Sequence, residues 1–157
     1  MLQNSSSQDL PLLNPLPRIA IVRSSYYDEL VTSMQDAAEG ILLEAHIKDI
    51  EMITVPGAFE IPLTCKKLAE GKEVDGIIAI GIIVQGETHH AGEIARACTD
   101  GLMQVQVETN VPIAHEVLFV DAIKQAEERC QGESNKGAEA AKTLLNMISI
   151  LQKEKIV

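Results

Sequence analysis

Tryptophan is absent from this 157-residue chain, and phenylalanine and tyrosine occur only twice each. Ile, Val, Leu and Ala must therefore fill any core. Basic residues are also scarce: 13 Lys and Arg against 23 Asp and Glu leave a formal charge of −10. That balance disfavours binding to a phosphate backbone, so no nucleic-acid partner is expected. It leaves room for a small anionic ligand, because a local basic pocket can sit on an acidic protein. No apolar run approaches the roughly 20 residues of a membrane-spanning helix, so no membrane association is expected either. Three cysteines (Cys65, Cys98 and Cys130) are odd in number and far apart. They form no metal pattern and no disulfide framework, and read as reduced, mostly buried thiols of a cytoplasmic protein. There is no internal repeat. The glycines at 76, 81 and 86 do not make a dinucleotide fingerprint, and no phosphate-loop motif is present.

The first 17 residues, MLQNSSSQDLPLLNPLP, lack both a basic region and a long apolar core, so they do not read as a signal peptide. Their Ser, Asn, Gln and Pro content predicts a flexible tail, extended or ordered only by contact. Residues 18–157 read as a single domain, since 157 residues suffice for one core and no linker composition interrupts them.

Four short apolar segments alternate with helical patterns. The strand candidates are Arg18–Arg23, Asp49–Val55, Gly76–Val84 and Pro112–Phe119. Leu30, Met34, Ala37, Ala38, Ile41 and Ala45 recur at the helical period. Ile61–Glu70 predicts a shorter helix with Pro62 in its first turn. Ala91, Ile94, Cys98, Leu102 and Val105 mark a third, and Asp121–Arg129 a short fourth. Ser134 or Asn135 caps the last helix, whose buried face is predicted as Ala138, Ala141, Leu145, Ile148 and Leu151. The alternation predicts an α/β fold: a three-layer α/β/α sandwich around a four-stranded, mostly parallel sheet, flavodoxin-like in arrangement.

The segment DGIIAIGIIVQGETHHA, residues 75–91, carries the clearest functional signal. Its unbroken apolar run fits a strand covered on both faces. It breaks at Gly86 into Thr88, His89 and His90, with Thr88 placed as an N-cap. The first amides of the helix behind it suit an anion. Ligands of open α/β sheets bind beyond the carboxyl ends of the strands. Ser24–Asp28 follows the first strand, Val55–Glu60 the second, and His115 and Glu116 are expected near the end of the fourth, with Arg129 one helix later. Each has an ordinary explanation: a rim aromatic for Tyr26, a helix-dipole partner for Glu60 or Arg129, turn chemistry for Pro56 and Gly57. Their shared edge is what singles them out.

Three of these segments resemble the lumazine synthase family. VPGAFEIP (Val55–Pro62) matches a family hallmark without a change, GETHH (Gly86–His90) resembles its G-x-T-x-H turn, and SNKGAEAA (Ser134–Ala141) its closing helix. The resemblance runs colinearly over about residues 18–153. It implies condensation of 5-amino-6-(ribitylamino)uracil with 3,4-dihydroxy-2-butanone 4-phosphate, with no cofactor and no metal. Such chemistry asks for two positioned substrates and one proton-transferring group. By the resemblance, Tyr26 stacks on the pyrimidine. Ala58, Phe59 and Glu60 hold the ribityl chain, and the backbone of Ile82, Ile83 and Val84 reads the uracil edge. Glu87 and Thr88 stand at the phosphate, which Arg129 grips, and His90 carries the proton. His115 falls where the family usually has Phe, on a neighbouring subunit's share of the pocket. The family forms homopentamers, some of them packed as shells of sixty subunits.

The chain departs from the commoner family pattern at Glu87, Ala91, His115–Glu116 and Phe119–Val120. The loop from Arg129 to Asn135 is also one residue short. Two alternatives therefore stand beside an active enzyme: a lumazine- or flavin-binding paralogue, and a shell-forming assembly protein with little catalysis.

Overall fold

In the computed structural model, which describes residues 10–154, four strands form one sheet in the order β2-β1-β3-β4. They are β1 (Ile19–Ser24), β2 (Ile50–Val55), β3 (Gly76–Val84) and β4 (Ile113–Val120). Every pairing is parallel, where a mostly parallel sheet was expected. The cause is visible in the connections, each a helical crossover long enough to return the chain to the same starting edge. The helices are α1 (Asp28–Glu44), α2 (Ile61–Glu70), α3 (His90–Thr109), α4 (Ile123–Cys130) and α5 (Lys136–Lys153). Of the expected flexible tail, residues 1–9 lie outside the described residues, as do 155–157. Leu10 and Leu13 pack against the core, and Asn14 and Pro15 exchange hydrogen bonds with Gln152 of α5.

Two apolar cores lie on opposite faces of the sheet. One joins Ile19, Ile21, Ile78 and Ile80 to α1 and α5. The other joins Ala20, Val22, Ile77 and Ala79 to α2 and α3. Alternation along each strand sends successive side chains to opposite cores. This explains why β1 and the first seven residues of β3 are buried without a break. The three cysteines are free and buried. Burial pushes the Cys65 thiol up to about 12, and those of Cys98 and Cys130 to about 11, so none is poised as a nucleophile.

The rotation of α1 and α5 differs from the expected stripes. The buried line of α1 is Val31, Met34, Ala38 and Leu42, while Leu30, Ile41 and Ala45 flank it and Ala37 is half-buried. On α5 the buried set is Gly137, Ala140, Ala141, Leu144, Leu145, Ile148 and Ser149, with Ala138 and Leu151 only half-buried. The reason is a backbone contact. A Cβ at Gly137 would overlap the carbonyl of Met34, so glycine lets α5 press directly on α1 and turns both helices about that point. Asn135, not Ser134, caps α5: its Oδ1 accepts the Gly137 N–H at 2.8 Å, and its Nδ2 donates to Cys130 O and Ser33 O. Among the predicted elements, α2 and β3 keep the expected bounds, whereas α4 begins at Ile123, two residues late.

Glu116, on β4, faces the start of α5. Burial raises its carboxyl to about 7, from an ordinary 4.5; Glu139 adds to the rise and Lys136 opposes it.

Two predictions come from this packing. Gly137→Ala should cost about 3 kcal/mol, the upper end of overpacking, because backbone must move. A melting temperature equal to that of the parent would show that the contact is loose. Between its ordinary value and about 7, Glu116 is protonated in the folded chain and ionised in the unfolded one. The folded state then binds more protons, so stability falls as pH rises through that window. Glu116→Gln should therefore melt with the parent near about pH 4 and above it by about pH 8. A difference independent of pH would contradict the assignment.

Candidate active site

The strands do not end level. β1 pairs with β3 only as far as Arg23↔Ile80, while β3 continues beside β4 to Val84↔Val120. Beyond Gly81, the backbone groups of β3 that face β1 have no strand partner among the described residues. The opening lies between β1 and β3, where the connections diverge: α1 covers one face of the sheet, α2 and α3 the other. This is the topological switch point, where open α/β sheets bind ligands. Ile82 is buried there, and Ile83 and Val84 are half-buried.

One wall is built by the turns after β1 and β2. Ser25 Oγ donates to Pro56 O at 2.7 Å, and the Ser25 N–H to Val55 O at 3.0 Å, tying the turns together. A Cβ at Gly57 would stand 3.2 Å from Glu60 Oε2 and 3.5 Å from Tyr26 Cε2. The Tyr26 ring and the Glu60 carboxylate thus flank the same glycine. Gly57 is extended, so its value here is the close approach, not its backbone freedom. Ala58 is buried in a short 3-10 turn, Ala58–Glu60, while Phe59 is 64% and Tyr26 66% exposed. A chain with only four Phe and Tyr places two of them outward at one edge.

The other wall is the loop from β3 to α3. Gln85 pins it, its Nε2 donating to Gly86 O and Thr88 O at 3.3 Å each; this residue was not singled out from the sequence. Thr88 is not the N-cap. α3 begins at His90, the cap position belongs to His89 in helical conformation, and Thr88 Oγ1 accepts the His90 N–H at 3.4 Å. The Glu93 N–H is the first to bond within the helix, to His89 O. The amides of Ala91 and Gly92 therefore remain free for an anion. Glu87, Thr88 and His90 are all exposed. Phe119 joins this wall, since a Cβ at Gly92 would touch its ring at 3.8 Å.

Three expected members, His115, Glu116 and Arg129, are elsewhere. His115 and Glu116 are not near the end of β4; they are its third and fourth residues, opposite Ala79 and Ile80. At about 3.3 Å per residue, His115 stands roughly 16 Å back from Val120. Its Nδ1 accepts the Val117 N–H at 3.0 Å and its Nε2 lies 2.8 Å from Thr99 Oγ1. With Nδ1 as acceptor, Nε2 carries the proton and donates to Thr99. Burial lowers the ring's pKa and keeps it neutral. Arg129 lies on α4, in the α1 and α5 layer, and its Nη1 donates to Gln125 O at 2.9 Å. His90 opens a helix in the opposite layer.

A groove of about 950 Å³ opens at the opposite, amino-terminal edge of the sheet. Arg18 and Asp75 at its rim satisfy one another, and it contains none of the residues that point to chemistry. Among the described residues no three His, Cys, Asp or Glu side chains converge as metal ligands. No helix there is long and apolar enough to cross a membrane.

A profile of the 6,7-dimethyl-8-ribityllumazine synthase family matches residues 17–152. A protein of that name from Leuconostoc mesenteroides subsp. mesenteroides is 38% identical over 144 residues, 89% of this chain and 92% of its own. Another from Xylella fastidiosa is 38% identical over 139 residues, 87% of this chain and 90% of its own. With its strand-end motifs in place and residues 17–152 matched, the chain belongs to the 6,7-dimethyl-8-ribityllumazine synthase family.

Proposed function

We propose that this protein condenses 5-amino-6-(ribitylamino)uracil with 3,4-dihydroxy-2-butanone 4-phosphate, losing phosphate and water to form 6,7-dimethyl-8-ribityllumazine, the penultimate step of riboflavin biosynthesis. Family membership supports the reading. The observation that carries it is the unpaired edge of β3 facing the Tyr26–Gly57–Glu60 wall. A flat heterocycle with donors and acceptors on one edge suits a free strand edge, and its face suits an exposed aromatic ring.

In this reading the pyrimidine stacks on Tyr26, and the backbone of Ile82, Ile83 and Val84 pairs with the uracil edge. Ala58 and Phe59 flank the ribityl chain, and the Glu60 carboxylate accepts its hydroxyl hydrogens. The phosphate sits at the loop of Glu87 and Thr88, on free amides at the start of α3, with an Arg129 guanidinium closing over it. His90, at the mouth of that loop, moves protons as the amine adds to the carbonyl and the imine forms. The rest of the acceleration comes from holding two substrates together. No cofactor and no metal enters.

Arg129 and His115 stand apart from the Tyr26–Glu60 wall within one chain. We place them in the pocket of a neighbouring copy, in a cytoplasmic homopentamer whose contacts cover the outward Phe59, Leu63 and Phe119. His115 would then bring a neutral, tethered ring to the neighbour's pyrimidine.

The test is a steady-state assay with both substrates, following the lumazine chromophore. His90→Ala should lower kcat by about 100-fold or more; turnover within a factor of about two would remove His90 from that role. Arg129→Ala should raise KM for the butanone phosphate by about 10- to 100-fold, the value of a charge-assisted contact. An unmoved KM would dismiss the phosphate assignment. Tight lumazine binding without any product would instead favour a binding paralogue.

A further inference from the structure

Among the described residues Arg23 is the one charged side chain that is fully buried, at 6% exposure. Burying a guanidinium is costly unless its hydrogen bonds are made and a counter-charge is near. Three bonds are made. Nη1 donates to Thr32 Oγ1 at 2.8 Å and to Gln35 Oε1 at 3.1 Å, and Nη2 donates to the Asp28 carboxylate. The Nε has no partner.

All three partners belong to α1: its first residue and positions one and two turns further on. The chain enters α1 through Ser24–Tyr27, and this entry is otherwise poorly secured. No side chain caps the helix, and Tyr27 is in the left-handed region at φ 55°. A bulky residue there costs on the order of 1–2 kcal/mol. Something must hold the turn closed. On the β2 side Ser25 is tied to Val55 and Pro56. On the α1 side the clamp is Arg23 to Asp28, immediately before and after the turn. Tyr26, between the two ties, stays outward beside Gly57.

We infer that Arg23 is a positioning residue that sets the affinity for the pyrimidine substrate, by clamping the turn that presents Tyr26. The inference rests on the stacking role proposed above for Tyr26, and it gives the buried cation a task that fold stability alone does not require. Replacing a buried ion by an apolar side chain of similar size is often neutral for stability. An effect on substrate affinity therefore separates the two roles.

The experiment is a double-mutant cycle on the full-length protein, with Arg23→Met, Tyr26→Ala and the pair, each substrate varied in turn. Tyr26→Ala should raise KM for the pyrimidine by about tenfold or more, the value of a base-aromatic stack. Arg23→Met should raise the same constant by about fivefold, leaving KM for the butanone phosphate and kcat at saturation near the parent values. Arg23→Lys, whose ammonium can reach Asp28 but not all three partners, should fall between. The pair should be no worse than Tyr26→Ala alone. Asp28→Asn changes only the exposed partner and should move the pyrimidine KM in the same direction, so it carries the test if Arg23→Met does not fold. A pyrimidine KM that moves with Tyr26→Ala but not with Arg23→Met, or not with Asp28→Asn where that variant stands in, overturns the clamp. So does an Arg23→Met penalty that persists in full without Tyr26. A KM unmoved by Tyr26→Ala would reject the stacking role itself, and the clamp with it.

Discussion

The early end of β1 is the constraint on which this molecule turns. In an all-parallel sheet every strand finishes at the same edge, so the edge carries whatever the chain does next. Here β1 stops while β3 runs on, at the place where the helical connections part to opposite faces. The gap leaves β3 backbone open on its β1 side while β4 stays paired along its other side. The turns after β1 and β2, and the loop after β3, then need only be held in place around that gap.

Polar side chains inside and outside the core share in this holding. Asn135 ties α5 to α1 and to the end of α4, and Gly137 lets α5 meet α1 backbone to backbone. Ser25 joins two turns, Gln85 folds the third onto itself, and Arg23 reaches from β1 into α1. A half-buried Glu116 is tolerated at a cost that depends on pH. Holding the turns matters because a loop that wanders costs affinity for every group it carries.

The layers of this fold were legible in the sequence because parallel strands buried on both faces read as continuous apolar runs, and Gly76–Val84 is one. Pro62 and the Ile61–Glu70 pattern located α2 for equally local reasons. What escaped was tertiary. With Leu30 and Val31 both apolar, the period alone could not say which faces inward; the contact at Gly137 decides it. Thr88 has the chemistry of a cap, but Gln85 draws the loop inward and the helix starts two residues later. His115 and Glu116 were expected near a strand end that lies five and four residues beyond them; they were mid-strand even within Pro112–Phe119, since β4 extends only one residue past Phe119. Arg23, read as the last residue of a strand, gave no sign of its burial, since nothing local marks Asp28, Thr32 and Gln35 as its partners.

The central claim is that one chain carries two incomplete halves of a site, Tyr26 and Glu60 on one side and Arg129 on another, and that neighbouring copies complete each other. Subunit complementation tests it most directly. Glu60→Ala and Arg129→Ala proteins, each of low activity alone, would be unfolded together, refolded as mixed assemblies and assayed for lumazine formation. If the site is shared, some interfaces recover both intact halves, and activity well above that of either parent returns. If each chain carries its own complete site, the mixture performs no better than the average of the two, and the account of a site built between copies is wrong.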